Sequence, residues 1–93
     1  MKPDSLLFQS SSALPAEIEE NLIILHTKSG LYIELNPSGK VIWDLLREPI
    51  GIQSLHEKIK LEYKNLSSED LEEINHFLKE GIEKGIIEEN ESI

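Results

Sequence analysis

By residue type, the side chains best suited to chemistry are Glu72, Glu73, His76 and Glu80, which recur three or four positions apart and share one face if the stretch is helical. Nitrogen and oxygen donors at that spacing are what a divalent first-row metal takes. Glutamate is abundant throughout the chain, however, and no second histidine lies nearby; His26 and His56 are isolated. The set therefore reads as a solvated acidic face. Nucleophilic catalysis has less support: there is no cysteine, no glycine-rich phosphate loop, and no Ser/His/Asp set of recognisable spacing. The expectation is a protein that is not an enzyme and uses neither metal nor cofactor.

The elements around these residues are more informative than the residues themselves. Asn21 to Thr27 is a strand rich in branched apolar side chains, and Lys28-Ser29-Gly30 is a turn signal. Leu31 to Leu35 returns as a second strand, with Leu31, Ile33 and Leu35 pointing one way and Tyr32 and Glu34 the other. Antiparallel pairing of the two follows. Leu6, Leu7 and Phe8 can supply a short first strand within an otherwise loosely held arm over residues 1–16, which includes Gln9-Ser10-Ser11-Ser12 and Pro15.

Asn36 and Pro37 start a first helix as N-cap and first helical residue. Val41, Ile42, Leu45 and Leu46 form its buried stripe, and Arg47 to Gly51 ends it. A second helix runs from about Ile52 to Tyr63, capped either by Gly51 or by Ser54 with Glu57. Ser67 caps the third and longest, whose inner face is Leu71, Ile74, Leu78 and Ile82, widened by Phe77. Gly85 stops it, Ile86-Ile87 tuck back onto the core, and the tail from Glu88 frays. Trp43 and Tyr63 are assigned to the core.

The fold class expected is α+β, a winged helix-turn-helix-like layout of a three-stranded antiparallel sheet followed by three helices. It forms one domain over 1–93, with 1–5 and 89–93 flexible. No run approaches the ~20 apolar residues that span a bilayer, and the N-terminus lacks a signal-peptide pattern, so a cytoplasmic location is expected.

Winged helices commonly meet DNA, and charge argues against that here. With 18 acidic and 9 basic residues the net charge is -9, and the third helix carries Glu69, Asp70, Glu72, Glu73, Glu80 and Glu83 against Lys79 and Lys84. Such a helix is repelled by phosphate, so neither nucleic acid nor an anionic membrane is the expected partner. What remains is an edge. Leu31 to Leu35 ends the meander with one charge, Glu34, whereas open edges are normally blunted. An extended peptide adding as a further strand, with Ile33 as a backbone donor, is the functional reading.

The ordered set Gly30, Tyr32, Leu35-Asn36, Ser38-Gly39, Ile42-Trp43 and Leu45, continuing to Tyr63 and through Phe77-Leu78 to Gly85-Ile86-Ile87, resembles the PqqD-like proteins, also called RiPP recognition elements. The resemblance covers roughly residues 20–88. It implies three strands followed by three helices, and a protein that binds the leader of a ribosomally synthesised precursor peptide and presents it to a modifying enzyme. In that family the leader adds antiparallel to the third strand, in a cleft against the third helix. Carried onto this chain, the strand is Leu31, Tyr32, Ile33, Glu34 and Leu35, and the helix residues come from Asp70, Leu71, Ile74, Asn75, Leu78 and Lys79. Two branches fit a free-standing chain. One is the lasso-peptide system, with a separate leader peptidase of cysteine-protease type; the other is a PqqD-type chaperone for a radical SAM enzyme. A monomer is expected, with strand-swapped dimers as the alternative. The rivals are a winged-helix transcriptional regulator and a subunit that docks on an enzyme through the same edge.

Overall fold

The computed structural model describes residue 2 and residues 4–91. Its elements are β1 (Ser5–Gln9), β2 (Ala13–Ile18), β3 (Asn21–His26), β4 (Tyr32–Leu35), α1 (Pro37–Leu45), β5 (Ile50–Gly51), α2 (Ile52–Glu62), α3 (Ser68–Glu83) and β6 (Ile87–Glu91). The strands make two antiparallel three-stranded sheets, ordered β2-β3-β4 and β5-β1-β6. The α+β class and the three helices are as expected, and the strand inventory is larger.

Three expectations change. The strand at Leu6 to Phe8 leaves the meander and pairs with β5 and β6, its register running from Ser5 opposite Glu91 to Gln9 opposite Ile87. Ala13–Ile18, within the supposed arm, supplies the first strand of the meander. The tail expected to fray from Glu88 is a paired strand to Glu91; Met1, Pro3, Ser92 and Ile93 lie outside the described residues. The β1–β6 pairing joins the two ends of the chain. Near its end the Lys2 backbone N–H donates to Glu89 Oε2 at 2.8 Å. That bond holds the Glu89 carboxyl below its ordinary range against a smaller opposing effect of desolvation.

Helix boundaries follow local chemistry. Asn36 Oδ1 accepts from Gly39 N at 2.9 Å, with Pro37 next to the cap. Gly51 caps α2, which settles its start. Ser67 and Asp70 form a reciprocal capping box, Asp70 N to Ser67 Oγ at 3.1 Å and Ser67 N to Asp70 Oδ2 at 2.9 Å. Gly85, at φ +79°, ends α3, and Ile86 N donates back to Gly81 O at 3.0 Å. This turn drives Ile86 and Ile87 into the core, as expected.

The core lies between the inner face of the meander and the helices. Leu22, Ile24, Ile33 and Leu35 meet Ile42, Trp43, Leu46, Leu55, Ile59 and Leu78 there. Gly81 lets α3 lie directly on β6: a Cβ at that position would overlap the Ile87 side chain. The first segment ties the layers together, since Gln9 N donates to Leu46 O and Ser10 N to Ile86 O, both at 2.9 Å.

Candidate peptide-binding site

Which backbone groups of β4 are free to pair is a matter of register. Tyr32 sits opposite Leu25 and Ile33 opposite Ile24. One step beyond, His26 N donates to Leu31 O at 2.8 Å, so that pair is hydrogen-bonded. Antiparallel ladders alternate bonded and non-bonded pairs. Ile33 and Leu35 therefore spend their N–H and C=O groups on β3, while those of Tyr32 and Glu34 point away from it. Among the described residues β4 pairs with no strand other than β3. The expectation that Ile33 donates to a peptide is corrected here: its donor faces inward. The outward row holds two donors and two acceptors, one of which, Tyr32 O, accepts from Lys84 Nζ at 3.4 Å.

The side chains follow the pleat. Ile33 and Leu35 are 6% and 4% exposed and belong to the core, whereas Tyr32 is 60% exposed and Glu34 is exposed with it. Leu31, just before the strand, is half exposed.

Beside the edge a cleft of about 540 Å³ opens between the β4–α1 junction, the α2–α3 turn and α3. Leu35, Ile42, Tyr63, Leu66, Ile74 and Phe77 give it apolar walls, and Glu34, Asp70 and Glu73 set three carboxylates against the single ammonium of Lys64. Asn65 makes the tight α2–α3 turn in the left-handed region at φ +67°, a conformation asparagine tolerates better than most residues.

Of the helix residues implied by the resemblance, Asp70 and Ile74 line this cleft. Leu78 is 0% exposed and underlies the surface rather than forming it. Leu71 packs against the core. Asn75 turns toward α2, its Oδ1 2.9 Å from His56 Nε2, and Lys79 is exposed; neither lines the cleft. Glu73 and Phe77 do line it, although the resemblance does not place them among the peptide-binding residues. Their signal was present, because 70, 73, 74 and 77 form one helical stripe. The α2–α3 turn residues Tyr63 to Leu66 carried no such signal, since only the packing of two helices brings them to β4.

The acidic stripe does not converge. His76 Nε2 lies 3.9 Å from Glu80 Oε2, and Glu80 also pairs with Lys84 at 3.3 Å. Among the described residues no group of three or more His, Cys, Asp or Glu side chains is placed to hold a metal ion. No helix among them is long and apolar enough to cross a membrane.

An unpaired strand edge running beside an apolar-walled groove is the geometry of a domain that takes up an extended peptide. Residues 21–87 match the family of coenzyme PQQ synthesis protein D (PqqD), and the chain belongs to that family. Its fold is similar to a solved structure described as TbiB1 in complex with the TbiA(beta) leader peptide. The TM-score is 0.72 and the identity 26%, over 87% of this chain and 94% of that one. No match is found among curated proteins.

Proposed function

We propose that this chain is a non-catalytic RiPP recognition element that binds the leader of a ribosomally made precursor peptide by strand addition to β4. The leader hydrogen-bonds to Tyr32 and Glu34 and sends alternate side chains into the cleft against Asp70, Glu73, Ile74 and Phe77. It is then delivered to a partner leader peptidase or modifying enzyme in the cytoplasm, in a lasso-peptide system rather than a quinone-cofactor one. The chain acts as a monomer and needs no cofactor.

The observation that carries this reading is the outward row of backbone groups at Tyr32 and Glu34 beside the cleft. The leader-bound state of a structurally similar relative supports it. Proline at position 34 is the direct test. It removes an outward donor without touching the β3 ladder, a placement edge strands tolerate. Fluorescence anisotropy with the labelled leader of the precursor encoded beside this chain is expected to give saturable binding to the wild type. Glu34→Pro, folded by circular dichroism, should lose affinity by about a hundredfold or more, the scale of about 2.7 kcal/mol or more of lost edge pairing. Unchanged affinity in the folded variant would remove strand addition at β4 from consideration.

A further inference from the structure

The four outward backbone groups of β4 are not equally free. Among the described residues only Tyr32 O is engaged: Lys84 Nζ donates to it at 3.4 Å and lies 3.3 Å from Glu80 Oε1. Lys84 is the C-cap of α3, and its backbone N–H donates to Glu80 O at 2.9 Å. The side chain therefore leaves from a fixed root just before the Gly85 turn, and it remains 34% exposed. An ammonium carries three N–H groups. Two are aimed at Tyr32 O and Glu80 Oε1, and the third has no acceptor among the described residues. Nor does this bond close the edge. A carbonyl oxygen has two lone pairs, so Tyr32 O can accept from an added strand while it holds Lys84.

We propose that Lys84 reads a carboxylate of the bound peptide, an Asp or Glu beside the residue that pairs with Tyr32, and so sets the register in which the strand adds; the proposal rests on the leader-binding reading above. Backbone pairing does not define that register. A strand slipped by two residues makes the same hydrogen bonds with the same faces turned inward, because the pleat repeats every two. Side chains must decide. The residue opposite Tyr32 points to the outer face as Tyr32 does, and its neighbours point to the helix side, where Lys84 reaches the edge from α3. An acid at such a neighbouring position meets the spare N–H in a charge-assisted hydrogen bond. Glu80 offsets part of the ammonium's charge, so Lys84 acts through a directed N–H rather than through a long-range field. Slipped toward the other end of β4, the same acid faces Glu34, Asp70 and Glu73 with the one ammonium of Lys64, and like charges repel it. The edge thus favours an acid at its Tyr32 end and a base at its Glu34 end, although the whole chain carries a net charge of -9.

A double-mutant cycle across the contact tests this. The labelled leader of the precursor encoded beside this chain is titrated by anisotropy at low salt against the wild type, Lys84→Gln and Lys84→Arg, each shown to be folded by circular dichroism. The titrations are repeated with leaders in which each Asp or Glu is changed in turn to its amide. With the natural leader, Lys84→Gln should lose affinity about fivefold, as a partly exposed ion pair does, and Lys84→Arg should restore it by keeping the charge. One amide leader should bind all three chains alike and thereby identify the acid that Lys84 reads. Unchanged or tighter binding to Lys84→Gln would overturn the proposal, the latter by showing that Lys84 only guards the edge. So would a loss that persists with every amide leader. These outcomes leave the leader-binding reading standing, whereas a wild-type chain that binds no leader would overturn that reading and the proposal with it.

Discussion

The meander has two edges, and they are finished differently. On β2 the outward backbone groups belong to Ala13, Pro15 and Glu17, because Thr27 N donates to Ser12 O at 2.9 Å and the alternation places the even-numbered residues on β3. Ala13 N is spent on Ser10 O at 3.1 Å, and Pro15 has no N–H to offer. Glu17 Oε1 lies 3.3 Å from Lys40 Nζ, which adds an ion pair alongside. One donor therefore remains on that edge. On β4 both outward donors remain, flanked by Tyr32 and a cleft instead of a proline. Natural sheets blunt edges to avoid unwanted pairing; this one blunts the β2 edge, where a second cleft of about 410 Å³ is lined by Pro15, Glu17, Lys40 and Trp43, and leaves open the β4 edge beside the cleft of about 540 Å³. An unblunted edge is thus a feature to be explained by what it binds.

Neighbouring residues on β4 provide the sharpest way to break this comparison. Ile33→Pro strikes the inward row, where it removes a ladder bond and displaces a core side chain, and is expected to cost ~3 kcal/mol or more of stability. Thermal unfolding should show the loss. Glu34→Pro, one residue on, should leave the melting temperature nearly intact while removing leader binding. If the two prolines behave alike, the register assigned to β4 is wrong. Next in size is Phe77→Ala, which trims a half-buried wall of the cleft; leader affinity should fall about tenfold in anisotropy, with a smaller drop in stability.

Charge contributes less. Glu34→Lys reverses one exposed carboxylate, and for a leader with basic residues the affinity should drop a few-fold at low salt. The difference should fade above physiological ionic strength, since exposed pairs contribute about 0–1 kcal/mol and are screened. A loss that persists at high salt would point to packing instead. The smallest expected effect comes from the other edge. Pro15→Thr restores a donor to β2 and should leave leader affinity unchanged, while light scattering at high concentration detects new self-association. A gain in leader binding would mean that β2 also accepts a strand, and the asymmetry between the edges would be lost.

Features carried by bonds between near neighbours were legible in the chain. Asn36 with Pro37, the Ser67 cap with acidic residues after it, and Gly85 followed by two isoleucines each satisfy backbone groups within a few residues, so their chemistry is written locally. The alternation of Leu31 to Leu35 likewise placed Ile33 and Leu35 inward, because the pleat has a period of two whatever the partner strand. The family pattern across residues 21–87 added the identity of the fold.

What the tertiary structure alone decided depends on pairing across long separations. Glu88 to Glu91 is polar and has no strand character of its own; it is a strand because β1, some eighty positions away, supplies its partners. Pro15 makes Ala13–Ile18 look like a loop until β3 lies beside it and the missing N–H falls on the outer edge. The same holds for the site. Alternation tells which way Ile33's side chain points, but its N–H is directed by the register with β3. Tyr63, Leu66 and Phe77 wall one cleft because two helices cross there. Side-chain periodicity is a property of one segment, whereas hydrogen-bond direction and a groove are properties of two.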